Sequence, residues 1–218
     1  MSKINLAGFE QAYFFESDTG SNKLLIGFHG RGDNANSFSG IRYGLRIKDF
    51  NQLFVNAPDS WDVGFSRGFS WYDMSPNQLS GIERSYELLE GLLTDLEQRG
   101  YHRKNIVLFG FSQGCLMSLE LAIRSELPFM GVIGVSGTLY EVKSLLQKQQ
   151  AGSRQTPFFL THGYGDEILP FEKSKAAYGL LSKNLPDFEF RALPKGHNIA
   201  DIEWEWFQTK ISEWSRRL

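Results

Sequence analysis

The run Ile106-Val107-Leu108-Phe109 is apolar at four consecutive positions. A strand made from it would present apolar side chains on both faces, which is typical of parallel sheets covered by helices on each side. Similar β-rich runs recur along the chain, each followed by a longer stretch with helical spacing. The predicted strands are residues 12–16, 23–28, 52–56, 105–111, 131–135, 157–161 and 188–192.

The stretches between the predicted strands carry apolar residues on one helical face. One such stripe consists of Ile82, Tyr86, Leu89, Leu93 and Leu96. A second, in the last helix, consists of Trp204, Phe207, Ile211 and Trp214, and we expect it to pack on the sheet. The alternation predicts an α/β fold with a mostly parallel central sheet and helices on both faces. No composition break divides the 218 residues, so we expect a single domain over residues 1–218.

Composition limits the classes of partner and compartment. The formal net charge is −2, which gives no electrostatic reason to expect nucleic acid or an anionic membrane. Cys115 is the only cysteine, so an internal disulfide and a cysteine-based metal cluster are both excluded. The first fifteen residues lack the apolar core of a signal peptide, and the apolar runs are strand-sized. We therefore expect a cytoplasmic protein with no transmembrane segment.

The motif G-x-S-x-G occurs twice, and its context separates the two copies. Gly110-Phe111-Ser112-Gln113-Gly114 follows an apolar strand and precedes a helix-forming segment, as a nucleophile elbow requires. The glycines leave room for a strained turn, and the helix start favours a developing anion. Gly64-Phe65-Ser66-Arg67-Gly68 has neither flank, so Ser66 is interpreted as a loop serine. The pattern favours Ser112 as the nucleophile over a plain strand–helix turn that contains serine.

A serine nucleophile needs a base, for which histidine is suited near neutral pH. His197 lies between the last predicted strand and the last helix, which places it at the carboxyl edge of the sheet. His102 precedes a strand in a polar turn. His29 and His162 each end an apolar strand, and a structural role is favoured for His29.

The third group must orient the imidazole, and on this fold the chain order is serine, acid, histidine. Asp166 follows the strand 157–161 by a few residues and satisfies that order. Glu167 is the adjacent alternative. Asp187 lies before its strand, at the opposite edge, and is a weaker candidate.

An oxyanion hole needs two N–H donors. One candidate is the backbone N–H of Gln113, directly after the nucleophile. The other is the N–H of Arg31, in the glycine-rich segment His29-Gly30-Arg31-Gly32-Asp33 that follows the strand 23–28.

Residues 59–80 interrupt the strand–helix alternation and are expected to form a long loop. Such loops in compact domains are usually functional. Phe65, Phe69 and Trp71 lie in it and are candidates for the wall of a substrate site, although each could equally be a core aromatic.

Together these motifs resemble the phospholipase/carboxylesterase family of α/β-hydrolases, which includes acyl-protein thioesterases and small bacterial carboxylesterases. The matching segments are Phe28-His29-Gly30-Arg31-Gly32-Asp33, Ser70-Trp71-Tyr72-Asp73, Gly110-Phe111-Ser112-Gln113-Gly114, His162-Gly163 with Asp166 and Pro170, and Gly196-His197. The resemblance implies a triad of Ser112, Asp166 and His197 and no metal or organic cofactor. Arg31 stands where the thioesterases usually have leucine.

The resemblance and the residues together predict a carboxylesterase or thioesterase that acts through an acyl-enzyme. Its expected partner is a small-molecule ester or thioester, with an acylated protein or a lysophospholipid as further candidates and a homodimer left open. Two alternatives remain: a non-catalytic binding protein on the same fold, and a peptidase on the same fold.

Overall fold

The computed structural model describes residues 2–4, 6, 8–64, 66–74 and 77–217, and within them the strands form a large sheet and a separate hairpin. The strands are β1 Ser2–Ile4, β2 Ala12–Phe15, β3 Leu24–Phe28, β4 Asn51–Val55, β5 Asp59–Val63, β6 Ser66–Ser70, β7 Ile106–Phe111, β8 Gly131–Val135, β9 Phe158–Gly163 and β10 Phe188–Leu193. All seven strands predicted from the sequence are present within one or two residues of their expected ends. Strand β1 and the hairpin strands β5 and β6 were not predicted.

The large sheet has the order β1-β2-β4-β3-β7-β8-β9-β10. Strands β4, β3, β7, β8, β9 and β10 run parallel, while β2 is antiparallel to β4 and β1 is antiparallel to β2. The predicted α/β class with a mostly parallel central sheet is thereby confirmed. The carboxyl ends of β3, β7, β9 and β10 all meet at one edge.

Helices cover both faces of this sheet. They are α1 Ala35–Phe38, α2 Arg42–Leu45, α3 Gln78–Gln98, α4 Gln113–Ile123, α5 Val142–Gln147, α6 Phe171–Leu181 and α7 Asp201–Ser215. No helix in the described part of the chain is long and apolar enough to cross a membrane.

The alternation of side chains along the central strands divides the core into two apolar clusters. On β7, Ile106 and Leu108 join the cluster under α3, α4 and α6, whereas Val107 and Phe109 join the cluster under α1, α2 and α7. The stripe from Ile82 to Leu96 lies on α3, and Leu89 and Leu96 are almost fully buried. Both amphipathic patterns are confirmed as helices that pack on the sheet.

The last helix, α7, packs closely on the sheet and on α2. Phe207, Ile211 and Trp214 of α7 are buried against the sheet. Trp204 is half-buried and packs over Gly44 of α2, where any Cβ would overlap the indole ring. Close packing of this kind fixes α7, and with it the loop that precedes the helix.

The expectation of a long loop over residues 59–80 was wrong for most of that segment. Strands β5 and β6 pair in an antiparallel hairpin, with Asp59 opposite Ser70 and Val63 opposite Ser66. Gly64 makes the turn at φ +62°, a conformation that glycine adopts without a Cβ clash. Helix α3 already begins at Gln78.

Backbone contacts to the segment after β3 hold this hairpin in place. Gly32 N–H donates to Phe69 O at 2.8 Å, and Phe69 N–H donates to Asp33 O at 2.9 Å. A Cβ at Gly68 would overlap the carbonyl of Gly32. The hairpin is therefore attached to the glycine-rich loop by backbone hydrogen bonds.

Candidate active site

Ser112 lies at a sharp turn between β7 and α4. Its backbone has φ +53° and ψ −115°, which a non-glycine residue rarely adopts and which costs about 1–3 kcal/mol. A Cβ at Gly110 would overlap Gly114 O, and a Cβ at Gly114 would overlap Phe28 O. Both motif glycines are thus required by close approach of backbone, and the turn leaves Ser112 partly exposed at the start of a helix.

The structure brings Ser112, His197 and Asp166 into one hydrogen-bonded chain. His197 Nε2 lies 3.0 Å from Ser112 Oγ, and His197 Nδ1 lies 2.8 Å from Asp166 Oδ2. The carboxylate of Asp166 can only accept, so Nδ1 of His197 carries the proton and donates it to Asp166. Nε2 is then unprotonated and accepts from the serine hydroxyl. The three groups come from the ends of three different strands, β7, β9 and β10.

Asp166 is held as a carboxylate by its surroundings. Burial opposes its ionisation, but the backbone N–H of Leu169 and the imidazole of His197 outweigh burial and keep the pKa of Asp166 below its usual value. Leu169 N–H and Ile168 N–H donate to Oδ1 at 2.8 and 3.0 Å. The acid is therefore fixed through one oxygen by its own loop and presents the other to His197.

The two other acid candidates lie elsewhere. Glu167 is exposed, on the outside of the same loop. Asp187 pairs with Arg217 at 2.6 Å, before the start of β10 and therefore at the opposite edge of the sheet. Of the three candidates, only Asp166 is hydrogen-bonded to His197 in the described structure.

His162 contributes a second contact to the acid. Its Nε2 lies 2.9 Å from Leu169 O and 3.3 Å from Asp166 Oδ2, and its side chain is fully buried. Burial lowers the pKa of His162, which favours the neutral ring. A neutral ring with its proton on Nε2 donates to Leu169 O and lies beside the carboxylate of Asp166.

The ring of His29 fixes the segment after β3. Ala57 N–H donates to His29 Nε2 at 3.0 Å, so the proton of His29 is on Nδ1, which bonds to Gly30 O at 2.7 Å. Burial lowers the pKa of His29 and keeps the ring neutral. Because the peptide bond is trans and planar, fixing Gly30 O on His29 turns the Arg31 N–H the opposite way. His29 thus has the structural role that the sequence favoured.

Gly30, which directly precedes Arg31, lies beside the serine. Gly30 is so close to Ser112 that a Cβ on Gly30 would be 3.3 Å from the Cβ of Ser112. Within the described residues, no backbone or side-chain acceptor is bonded to the N–H of Arg31 or of Gln113. An oxyanion hole requires two donors near the nucleophile, and the assignment of that role to these two N–H groups stays a prediction.

The guanidinium of Arg31 takes no part in that arrangement. It is exposed, and its Cζ lies 3.7 Å from the centroid of the Trp61 ring on the hairpin. Trp61 is itself 38% exposed. The pair forms a cationic and aromatic rim at the loop that carries the Arg31 N–H.

The side chain of Gln113 joins the elbow to residues 70–72, which sequence reasoning missed. Its Oε1 accepts from Trp71 N–H at 3.0 Å and lies 3.2 Å from Ser70 Oγ, and its Nε2 donates to Tyr72 O at 2.8 Å. The motif quoted above as Ser70-Trp71-Tyr72-Asp73 was the available signal. It could not show that the glutamine of the elbow was the partner.

The three aromatic residues suggested as a substrate wall are placed differently from one another. Trp71 is fully buried, donates from Nε1 to His29 O at 2.9 Å and packs edge-on against Phe28. Phe69 is 4% exposed. Phe65 lies outside the described residues. The contacts of Trp71 and Phe69 hold the segment after β3 in place, and substrate contact by any of the three stays a prediction.

Metal-binding potential can be judged from side-chain clustering. Among the residues that the structure describes, no group of three or more His, Cys, Asp or Glu side chains is arranged to hold a metal ion. Cys115 is buried beneath the elbow, and burial raises the pKa of its thiol to about 12. That thiol packs as a small apolar group.

A mostly parallel sheet with a Ser–His–Asp chain at its carboxyl edge defines the class of α/β-hydrolases. Within that class, the family model described as Phospholipase/Carboxylesterase matches residues 11–215, and the chain belongs to this family. The resemblance noted in the sequence is thereby confirmed, and membership makes the protein a carboxylic ester hydrolase.

Individual relatives agree with the family. Acyl-protein thioesterase 1 of Aspergillus fumigatus is 32% identical over 201 residues, which cover 83% of this chain and 83% of the relative. Lysophospholipase-like protein 1 of mouse is 27% identical over 180 residues, which cover 78% of this chain and 74% of the relative. The crystal structure of esterase PE8 superimposes with a TM-score of 0.82 at 25% identity and covers 93% of this chain and 97% of its own.

The bonds of Gln113 generate a prediction. Gln113→Glu keeps the shape of the side chain but places a carboxylate oxygen against Tyr72 O, which then loses its donor. We expect the free energy of unfolding to fall by about 1–3 kcal/mol, with a loss of kcat/KM for an ester. Urea denaturation measures the first and initial rates the second. Gln149→Glu, which alters a half-exposed amide bonded to Ser153, is the control. Equal stability of the two variants would contradict the role given to Gln113.

Proposed function

We propose that this protein hydrolyses carboxylic esters or thioesters through an acyl-enzyme formed on Ser112. The observation that carries the proposal is the unbroken hydrogen-bonded chain from Ser112 Oγ through His197 to Asp166. A serine hydroxyl becomes an effective nucleophile only when a base takes its proton, and this arrangement supplies both the base and the acid that orients it.

In the first half-reaction, Nε2 of His197 takes the proton of Ser112 as Oγ attacks the acyl carbonyl carbon. The carbonyl oxygen becomes an oxyanion and accepts from the N–H groups of Arg31 and Gln113. Asp166 stabilises the imidazolium without taking its proton. The C–O or C–S bond then breaks, and Nε2 returns the proton to the departing alkoxide or thiolate.

In the second half-reaction, water replaces the leaving group. Nε2 of His197 removes a proton from the water, whose oxygen attacks the acyl carbon of the ester on Ser112. The second tetrahedral intermediate uses the same two N–H donors. Its collapse breaks the bond to Ser112 Oγ, returns the proton to that oxygen and releases the carboxylic acid.

For the natural substrate, the names of the relatives give the direction. Acyl-protein thioesterase 1 and lysophospholipase-like protein 1 point to acylated proteins and lysophospholipids, each of which joins a fatty acyl chain to a polar leaving group. We propose a substrate of that form, with the acyl carbonyl on Ser112 beside the rim of Arg31 and Trp61. A cytoplasmic location fits an unpaired, buried Cys115.

The two rival functions make different use of the site. A binding protein on this fold has no chemical need for a base and an orienting acid, whereas all three groups are in hydrogen-bonding register here. A peptidase needs groups that anchor an amide substrate by its termini. Fluorophosphonate labelling of Ser112 distinguishes an enzyme from a binding protein, and parallel assays of p-nitrophenyl esters and peptide amides distinguish an esterase from a peptidase.

Ser112→Ala tests the nucleophile directly. The change removes one oxygen at a surface turn, so we expect an unchanged fold and a loss of ester hydrolysis of roughly 10⁴-fold or more. Circular dichroism monitors the fold, and p-nitrophenyl acetate measures the rate. Ser66→Ala, in the second copy of the same motif, is the matched control and should retain activity. A Ser112→Ala protein with most of its activity would overturn the proposal.

Asp166→Asn and Glu167→Gln test the choice of acid. An amide at position 166 favours the wrong imidazole tautomer, with an expected loss in kcat on the order of 10⁴-fold. Glu167→Gln changes an exposed side chain and should have a small effect. If Glu167→Gln were the inactive variant and Asp166→Asn the active one, Asp166 would not be the acid.

Arg31→Leu tests the rim. The stacked guanidinium keeps a fixed charge beside the oxyanion donor, which disfavours an apolar chain there. We expect Arg31→Leu to raise kcat/KM for long acyl esters relative to acetate. The corresponding activation free energy should fall by about 1–3 kcal/mol. Arg31→Lys keeps the charge and is the control. All esters are compared below their micellar concentrations, and equal changes at every chain length would rule out contact with the acyl group.

A further inference from the structure

A buried ion pair joins the loop that carries His197 to helix α7. Lys195 Nζ lies 2.8 Å from Glu203 Oε1 and 2.7 Å from Glu203 Oε2. The two side chains are 3% and 0% exposed. Lys195 precedes His197 by two residues, so this pair fixes the backbone next to the imidazole.

The same lysine contacts the loop of the acid through its backbone. Gly165 N–H donates to Lys195 O at 3.1 Å, and a Cβ at Gly163 would overlap that carbonyl. Gly165 directly precedes Asp166 in the chain. Lys195 therefore joins the loops of Asp166 and His197 through its backbone, in addition to the hydrogen bond between those two side chains.

Glu203 fixes the far end of the His197 loop. Its Oε2 also accepts from Ala200 N–H at 2.6 Å, and its own N–H donates to Ala200 O at 3.0 Å. Residues 195 to 200 are thus held at both ends by one carboxylate. The carboxylate itself belongs to α7, whose Phe207, Ile211 and Trp214 are buried against the sheet.

A charged pair is a costly way to hold a loop. Burial lowers the pKa of Lys195, with Glu203 opposing the shift. Apolar side chains of similar volume often serve stability as well as a buried pair does. What the pair adds is a specific link, because moving the loop away from Glu203 would leave a buried charge without its partners.

We infer that Lys195 and Glu203 are positioning residues of the catalytic reaction, which set the distances from His197 to Ser112 and to Asp166. The inference rests on the hydrolytic function proposed above. Neither residue touches the reacting atoms. Both act through the backbone of the His197 loop.

Single substitutions give the first test. Lys195→Met and Glu203→Gln each remove the charge pairing while keeping much of the side-chain volume. For both we expect kcat for p-nitrophenyl acetate to fall roughly 10²-fold, because a displacement of about 1 Å between catalytic groups costs that much. KM should stay unchanged, since the substrate's binding surface is not altered.

A double variant separates positioning from stability. Lys195→Met combined with Glu203→Met leaves no unpaired buried charge, so its thermal midpoint should recover towards that of the wild type. Its kcat should stay low because the directional bonds are absent. Recovery of kcat together with stability would overturn the inference, because the pair would then act only as packing.

A second ion pair provides the matched control. Lys210 of α7 bonds to Glu189 of β10 at 2.7 Å, but the two side chains are 21% and 36% exposed, and the pair does not contact the His197 loop. Lys210→Met should leave kcat and KM as in the wild type. An equal fall in kcat in Lys210→Met would show that any weakening of the α7 contacts suffices, and would also overturn the inference.

Proton NMR gives a readout that a purely structural role would not change. The low-field signal of the proton between His197 Nδ1 and Asp166 should be present in the wild type and in Lys210→Met, and broadened or lost in the two single variants and in the double variant. Ser112→Ala, assayed in parallel, separates the two proposals. If Ser112→Ala is inactive while the Lys195 and Glu203 variants keep their kcat and their low-field signal, the hydrolytic function stands and the positioning role fails.

Discussion

The positive φ of Ser112 limits how closely the surrounding elements can pack and which residues they can contain. With φ at +53°, the chain turns from β7 into α4 so tightly that neither Gly110 nor Gly114 has room for a Cβ. The helix then lies directly on the end of β3, since the limiting neighbour of Gly114 is Phe28 O. The segment that supplies the Arg31 N–H leaves from that same strand. One strained turn thus brings Ser112, the start of α4 and the segment after β3 close to one another, and the stability of the apolar core offsets its cost.

The polar groups around this turn form a continuous series of hydrogen bonds with one another. His29 is neutral with its proton on Nδ1, because Ala57 N–H occupies Nε2, and that tautomer fixes Gly30 O. Trp71 closes the same segment from the other side through His29 O, and Gln113 bonds to Trp71 N–H. The segment that contains Arg31 and the turn at Ser112 are therefore linked through side chains as well as through the sheet. Donors fixed in advance need no reorganisation when charge develops, which is the main source of electrostatic stabilisation in such sites.

The sequence predicted what is encoded locally. Strands with apolar residues on both faces were recognised as parallel strands. The elbow was recognised because the turn at Ser112 excludes a Cβ at Gly110 and at Gly114, and both glycines lie within the five-residue motif. The hairpin from Asp59 to Ser70 was missed because its strands are short and mostly polar, with two apolar residues in β5 and one in β6. Its register comes from bonds of Phe69 to Gly32 and Asp33, distant in the chain. The pairing of Lys195 with Glu203 was also hidden, because a lysine and a glutamate eight residues apart usually indicate solvated side chains. Only the close packing of α7 on the sheet removes water from that pair.

The distribution of buried polar groups explains why the edge of the sheet differs from its centre. The central strands contribute apolar residues to two separate clusters, and substitutions there affect mainly packing. At the carboxyl edge, His29, Gln113, His162 and Glu203 are almost fully buried, and each is bonded to a loop of the site. Removing one such group leaves its partner without a hydrogen bond in a place that water does not reach. The substitution therefore lowers the free energy of unfolding and also allows the partner's loop to shift. Geometry and stability are therefore coupled most strongly at this edge, where Ser112, Asp166 and His197 lie.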